Sequence, residues 1–308
     1  MRKRICAWLF ALLLLSSPCF GQAEGLDPDD FAVQPEDVSD AQDFLPPFSP
    51  VYRDESTYLS ANVTIHITRE RAFASDIYVC DIRVSSAACI RRAFGEGVWN
   101  RSSARVETLA MANDAVLAMT GDSSANISNG FVLGNGRLYR TNQNRKRDLC
   151  VMYKNGEVKT FRASDCDMNS VYRELADSVD DLWQVFLFGP ALLDENGRAY
   201  ESFTSNVKPA NPRSVFGYYE PGHYCFVQVD GRGVSSRLEK GKRSTGLTMR
   251  QLADYMESLG CLSAYNLDGG QSSMLWFDGV ISTPYNNGRK VGDVIMVVDL
   301  TPLALEND

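Results

Sequence analysis

The chain has 308 residues, with 39 acidic against 31 basic side chains and a formal net charge of -8. That balance excludes nucleic acid and anionic membranes as general partners, because both are held by clustered basic charge. It leaves open a small phosphate-bearing ligand, which reads only local charge.

The first residues read as an export signal, residues 1–23. Arg2, Lys3 and Arg4 form a basic start, Ile5 to Leu15 an apolar core, and Gly21-Gln22-Ala23 a small-residue cleavage site. The apolar run falls short of the roughly 20 residues a membrane-spanning helix needs, and no later stretch is long enough. The chain is therefore expected to be secreted or extracytoplasmic. Removing the leader takes away three positive charges and no negative ones, which moves the net charge from -8 to -11. Residues 24–57, with Asp27, Asp29, Asp30, Pro46 and Pro47, read as an acidic Pro-rich linker with little to bury. Residues 58–308 read as one domain.

Cys6 and Cys19 fall in the leader. The remaining six cysteines suggest disulfides in an oxidising compartment. The expected pairing is sequential: Cys80–Cys89, Cys150–Cys166 and Cys225–Cys261.

Along the domain, Val63–Ile67 and Ile77–Ile82 read as strands. Asn135-Gly136, Asn155-Gly156, Asn196-Gly197 and Asp278-Gly279 read as hairpin turns needing positive φ. Helices are expected over Ser103–Asn113, Asn169–Leu182 and Thr248–Leu259. The last has a Thr248/Gln251 capping-box spacing, with Met249 and Met256 on its core face. The order Tyr224–Val229, helix, Leu262–Leu267 reads as a β-α-β crossover, which places Asp230 and Asp268 beyond strand ends.

Three segments can carry chemistry. Asn266-Leu267-Asp268-Gly269-Gly270-Gln271-Ser272-Ser273 joins a carboxylate to a glycine turn and two hydroxyls, a set that can hold sugar or phosphate oxygens. It equally describes a tight turn capped by an Asp. Asn211-Pro212-Arg213, followed by Val229-Asp230-Gly231-Arg232, offers Arg213 and Arg232 as forked phosphate donors or as surface arginines. Met119-Thr120-Gly121-Asp122 sets a second carboxylate at a strand end.

Taken in order, Thr120-Gly121-Asp122, the Asn-Gly hairpin, Phe188-Gly189-Pro190, Asn-Pro-Arg-Ser, Val-Asp-Gly-Arg, Gly246-Leu247-Thr248 and Asn266 to Ser273 resemble the phosphodiester glycosidase family over about Tyr58 to Leu300. The resemblance implies a mixed α/β fold (α+β): a mixed sheet with several hairpins and about three main helices. It also implies hydrolysis between a sugar anomeric carbon and phosphate. Asp268 and Asp122 are then expected as the catalytic carboxylates. Arg213, Asp230, Arg232, Gly269, Gly270, Ser272 and Ser273 are expected around substrate and phosphate. The chain departs from the family at Thr120, where an Asn is usual, and at Gln271, where a Gly is frequent.

No metal or organic cofactor is required by these residues, although Ca²⁺ held by Asp and carbonyl oxygens is compatible with them. The expected partner is a carbohydrate or sugar phosphate. No G-x-S-x-G elbow supports a serine hydrolase, and His66 and His223 both fall in strand patterns. The competing reading is a non-catalytic glycan-binding or polysaccharide-assembly module of the same fold.

Overall fold

The computed structural model describes residue 31 and residues 44–100, 102–281 and 289–300. The expected export signal lies outside the described residues. In chain order the elements begin with β1 (Tyr52–Arg53), β2 (Thr57–Leu59), β3 (Val63–Ala72), β4 (Ser75–Val84) and β5 (Ile90–Phe94). Next come α1 (Val106–Ala112), β6 (Ala115–Thr120), β7 (Phe131–Gly134), β8 (Arg137–Thr141), β9 (Leu149–Tyr153) and β10 (Val158–Phe161). Then follow α2 (Met168–Asp177), β11 (Leu182–Phe186), β12 (Arg213–Glu220), β13 (His223–Val229), β14 (Val234–Ser235) and β15 (Arg243–Ser244). The chain continues through α3 (Met249–Ser258), β16 (Ser263–Asn266), β17 (Leu275–Phe277), β18 (Val280–Ile281) and β19 (Asp293–Val298).

These strands form a seven-stranded sheet ordered β1-β2-β3-β4-β13-β12-β16 and two five-stranded sheets, β10-β9-β11-β7-β8 and β18-β17-β6-β19-β5. β14 and β15 form a small ribbon. Side-chain alternation sets the faces. In β3, Ile65 and Ile67 point inward and His66 and Thr68 outward. One face of the large sheet packs Val215, Val227 and Val229 against Leu252, Ala253 and Met256 of α3. Its other face meets Leu117, Leu275 and Ile295 of one smaller sheet and Met152 and Phe186 of the other. α1 covers the outer face of the sheet holding β6, and α2 that of the sheet holding β9.

The crossover is present with a strand inserted. β12 pairs antiparallel with both β13 and β16, so those two run parallel to one another, one strand apart. α3 begins with the full capping box. The Thr248 side chain accepts from the Gln251 N–H, and the Gln251 side chain accepts from the Thr248 N–H. Asn135-Gly136 and Asp278-Gly279 both take positive φ, as two-residue hairpins require. α2 is shorter than expected. Ser178 Oγ donates to the Glu174 carbonyl at 2.8 Å and closes the helix, a 3-10 turn spans Val179–Asp181, and Leu182 already pairs in β11.

Two further expectations change. Strand pairing starts at Tyr52, inside the segment expected as linker, and Phe31 is buried against Trp183 at a 4.7 Å ring separation, with Lys154 above it at 5.5 Å. The acidic segment thus carries its own aromatic anchor. The three expected disulfides are also absent, since all six described cysteines carry free thiols. Cys80, Cys89 and Cys150 pack in the main core as small apolar side chains, and Cys166 is half-buried beside α2. Cys225 and Cys261 bring their sulfurs to 3.7 Å. Gly217 makes that approach possible, because a Cβ there would sit 2.5 Å from the Cys225 sulfur and 3.0 Å from that of Cys261.

Candidate active site

Three strand ends converge: the carboxyl ends of β16 and β6 and the amino end of β19. Backbone bonds stitch them together. Asp268 N–H donates to the Gly121 carbonyl at 3.0 Å, and Gly121 N–H to that of Asp293 at 3.0 Å. Because β16 runs antiparallel to β12, it delivers Asp268 beside Pro212 and Arg213. There Gly270 N–H donates to the Pro212 carbonyl at 3.0 Å. Gly269 is sterically required, since a Cβ would meet the Pro212 oxygen at 2.7 Å. The turn is held from beneath by Thr120. Its hydroxyl donates to the Ser272 carbonyl at 2.5 Å and accepts from Met274 N–H at 3.1 Å.

Above this floor lies a polar cleft of about 340 Å³. Asn100, Ser102, Ser103, Ser123 and Asn126 supply amides and hydroxyls, and Asp268, Ser272, Arg289 and Lys290 supply the rest of its polar lining. A larger crevice beside Tyr153, Lys154 and Asp181 contains none of the motif residues. Burial raises the Asp268 pKa above the ordinary carboxylate range. The Ser272 hydroxyl and Gly269 N–H oppose that rise, the nearby Asp293 charge adds to it, and Arg289 counters it.

Only part of the expected set reaches this cleft. Asp268 and Ser272 line it, and Gly269 and Gly270 form its turn. Ser273 is buried, 3.4 Å from Ser214 Oγ. Asp122 lies beneath the floor, fully buried. One carboxylate oxygen accepts from Leu187 and Phe188 N–H at 2.6 and 2.7 Å, and the other accepts from Arg92 at 3.3 Å. Its pKa is pushed up by burial, against the pull of Arg92.

Arg213 does not meet a phosphate in this geometry. Its strand position turns the guanidinium toward the α3 face. There Nε donates to the Leu247 carbonyl at 2.9 Å, and Nη2 to those of Val207 and Pro209 at 2.7 and 2.6 Å. Burial lowers its pKa to about 10. Arg232 is exposed behind the turn, with Nε donating to Asn211 Oδ1 at 3.1 Å.

Asp230 is buried with both carboxylate oxygens lacking a hydrogen-bond partner among the described residues. Its pKa is pushed up to about 7, first by burial and then by the Asp76 charge, with the Arg237 charge opposing the rise. A folded pKa above the unfolded value near 3.9 means the native state binds the extra proton. The native state therefore loses stability as pH climbs between those two values. Asp230→Asn is expected to match wild-type melting near pH 4 and exceed it at pH 8. An offset independent of pH in a calorimetric scan would contradict this account.

The sequence motifs assign no site role to Arg92 or Asp293. Arg92 is 1% exposed. It donates from Nε to Asp293 Oδ2 at 2.5 Å, from Nη2 to Ser124 Oγ at 2.9 Å and from Nη1 to the Val185 carbonyl at 3.0 Å. Asp293 also accepts from Ser123 N–H at 2.7 Å and thereby fixes the cleft floor. The signal was present: Arg92 shares the inward phase of β5 with Ile90 and Phe94, and a charge at such a position implies a buried partner. Asp122 is committed to Arg92 and two N–H groups. Among the described residues no three His, Cys, Asp or Glu side chains gather as a metal site.

The sequence profile of the phosphodiester glycosidases matches residues 108–298. The chain belongs to that family. A curated relative, the SPbeta prophage-derived uncharacterized protein YomE of Bacillus subtilis, is 27% identical over 223 residues, covering 69% of this chain and 31% of the relative. The chain thus spans about a third of that relative's length. Among solved structures, the catalytic domain of zebrafish N-acetylglucosamine-1-phosphodiester alpha-N-acetylglucosaminidase, auto-inhibited by its pro-peptide, superposes with a TM-score of 0.57. It is 16% identical, with coverage of 77% of this chain and 83% of that one. A hypothetical protein from Synechocystis gives 0.58 at 13% identity, covering 81% and 64%. At these identities the likeness is one of fold. Family membership supports glycosidase chemistry and a carbohydrate ligand. Among the described residues no helix is long and apolar enough to cross a membrane.

Proposed function

We propose that the protein hydrolyses the bond between a sugar's anomeric carbon and the phosphate of a sugar-1-phosphodiester, within a glycan or cell-envelope polymer. The observation that carries this reading is Asp268. It is a half-buried carboxylate with a raised pKa, presented to a cleft lined by hydroxyls and amides on a turn the family uses. The departing group is a phosphate monoester, whose second pKa is about 6, so it leaves without protonation by the enzyme. One carboxylate then suffices. Asp268 takes a proton from water, the water oxygen bonds to the anomeric carbon, and the carbon–oxygen bond breaks with its electrons going to phosphate. Asn100, Ser102 and Asn126 are placed to hold sugar hydroxyls as positive charge develops on the ring.

The departure at Thr120 is compatible with activity. Its hydroxyl makes one donor and one acceptor bond to the catalytic turn, and an Asn amide supplies the same two functions. The basic and apolar leader supports an exported enzyme. A non-catalytic glycan-binding role is favoured by one fact: Asp268 is the single carboxylate lining the cleft among the described residues. Incubation with a panel of sugar-1-phosphodiesters, beginning with an N-acetylglucosamine-1-phosphate diester, separates the two readings. Release of free sugar supports hydrolysis. Binding of the diester in calorimetry with no release across the panel supports the binding module.

A further inference from the structure

Arg213 gives Nε and Nη2 to carbonyls on the α3 face, and neither it nor Arg232 lines the cleft, so the expected phosphate needs another donor there. The cleft itself supplies another. Its charged lining is Arg289, Lys290 and Asp268, two cations and one anion, on a chain whose net charge is -8. Such a local reversal of sign favours an anionic ligand where the protein as a whole repels one. Arg289 also lies close enough to Asp268 for its charge to act on that carboxylate.

A second observation concerns how Arg289 is held. Its Nη1 donates to Gln271 Oε1 at 2.6 Å. Gln271 stands in the turn where the family resemblance leads one to expect a glycine, which has no side chain to offer. A neutral amide oxygen orients a guanidinium without cancelling its charge, whereas a carboxylate at that position would neutralise it. The Gln271 side chain therefore has the chemistry of a positioning group whose own contact with the guanidinium adds no opposing charge.

The geometry points to Arg289, positioned by Gln271, as the residue that binds the substrate phosphate, and to Gln271 as a specificity determinant of this chain. The assignment rests on the proposed reading of the cleft as a phosphodiester site. A fork of N–H donors beside Asp268 would fix the phosphate on the leaving side of the anomeric carbon. Lys290 would add charge with less directionality.

The test uses inorganic phosphate as the probe, in titration calorimetry on the purified protein, so that binding is read independently of turnover. Both residues are exposed, and their replacement leaves the buried framework intact. Arg289→Ala is expected to weaken phosphate binding about ten-fold or more, as loss of a charge-assisted bond does. Gln271→Glu, which keeps the acceptor but cancels the charge, should weaken it comparably, and Gln271→Gly by a smaller factor. With a hydrolysable diester, Gln271→Gly should raise KM with kcat retained. Arg289→Ala should also move the acid limb of kcat/KM to higher pH, because the cation that opposes the raised Asp268 pKa is gone.

Phosphate binding by the wild type that survives Arg289→Ala unchanged would overturn the assignment, as would the absence of any phosphate binding. If the wild type binds phosphate through Arg289 yet cleaves no diester, the phosphate assignment stands and the hydrolytic reading falls. If it cleaves diesters with a KM indifferent to Arg289, the reverse holds.

Discussion

Asp268→Asn is expected to lose sugar release by about a thousand-fold, within the range that a positioned general base contributes, while the protein stays folded. The two halves of this expectation have separate causes. The amide keeps an oxygen to accept from the Ser272 hydroxyl and the Gly269 N–H, so the turn retains its bonds. It also removes a carboxylate whose ionised form is disfavoured by burial, so melting should be unchanged or slightly higher. What it cannot do is take a proton from water. Asp268→Glu keeps the charge but displaces the oxygens by about a bond length, and misplacement of that order costs up to about a hundred-fold. Single-turnover sugar release, read beside circular dichroism, separates chemistry from folding. A folded Asp268→Asn protein with more than about a tenth of wild-type turnover would remove Asp268 from the mechanism.

Arg92→Leu is expected to have the largest effect on stability. The Arg92 guanidinium lies between Asp122 and Asp293, all three buried. Removing it strands two carboxylates in the interior, and breaking a buried pair in this way costs about 3–5 kcal/mol, against a total stability of about 5–15 kcal/mol for a domain. The loss should depend on pH. The Asp122 pKa is already raised with Arg92 present and rises further without it. The folded variant then holds more protons than the unfolded chain above the ordinary carboxylate pKa, and stability climbs as pH falls. Urea midpoints at pH 5 and pH 8 check this. The variant should lie well below wild type at pH 8 and recover part of the gap at pH 5. Replacing all three charged groups with neutral residues of similar volume should be far milder than the single change, because no charge is then left unpaired. A single variant within about 1 kcal/mol of wild type at both pH values would show that the ion cluster is not what secures the cleft floor.

How much was legible beforehand varies with the physics behind each signal. Local chemistry read well. The Thr248 and Gln251 capping box, the Asn135-Gly136 turn and the apolar face of α3 all depend on residues within one or two turns of each other. The crossover was legible as a sequence of elements, but not the insertion of β12 between its two strands, because hydrophobic periodicity carries no information about which strands are neighbours. The same gap explains Arg213. Alternation along β12 decides that it opposes Ser214 in facing, but not which face meets α3 and which meets the cleft. Asp122 was found as a strand-end carboxylate, yet its burial depends on Arg92, thirty residues away in a different strand. Acidic composition hid Phe31, since one aromatic residue does not change the character of a segment yet can anchor it.

The position of β19 has a consequence for when the cleft is completed during synthesis. It is the last described strand, yet it sits between β6 and β5 inside its sheet rather than at an edge. Asp293, its first residue, makes contacts that reach back 170 residues to Ser123 and 201 residues to Arg92. A chain emerging amino-terminus first can form the long ladder of β1 to β4 at once. The sheet behind the Asp268 turn has to wait for this interior strand, and contacts of such separation are slow to close. Until then Arg92 and Asp122 lack their third member. A chain released shortly before Asp293 therefore carries every other strand of this sheet and an unfinished cleft floor.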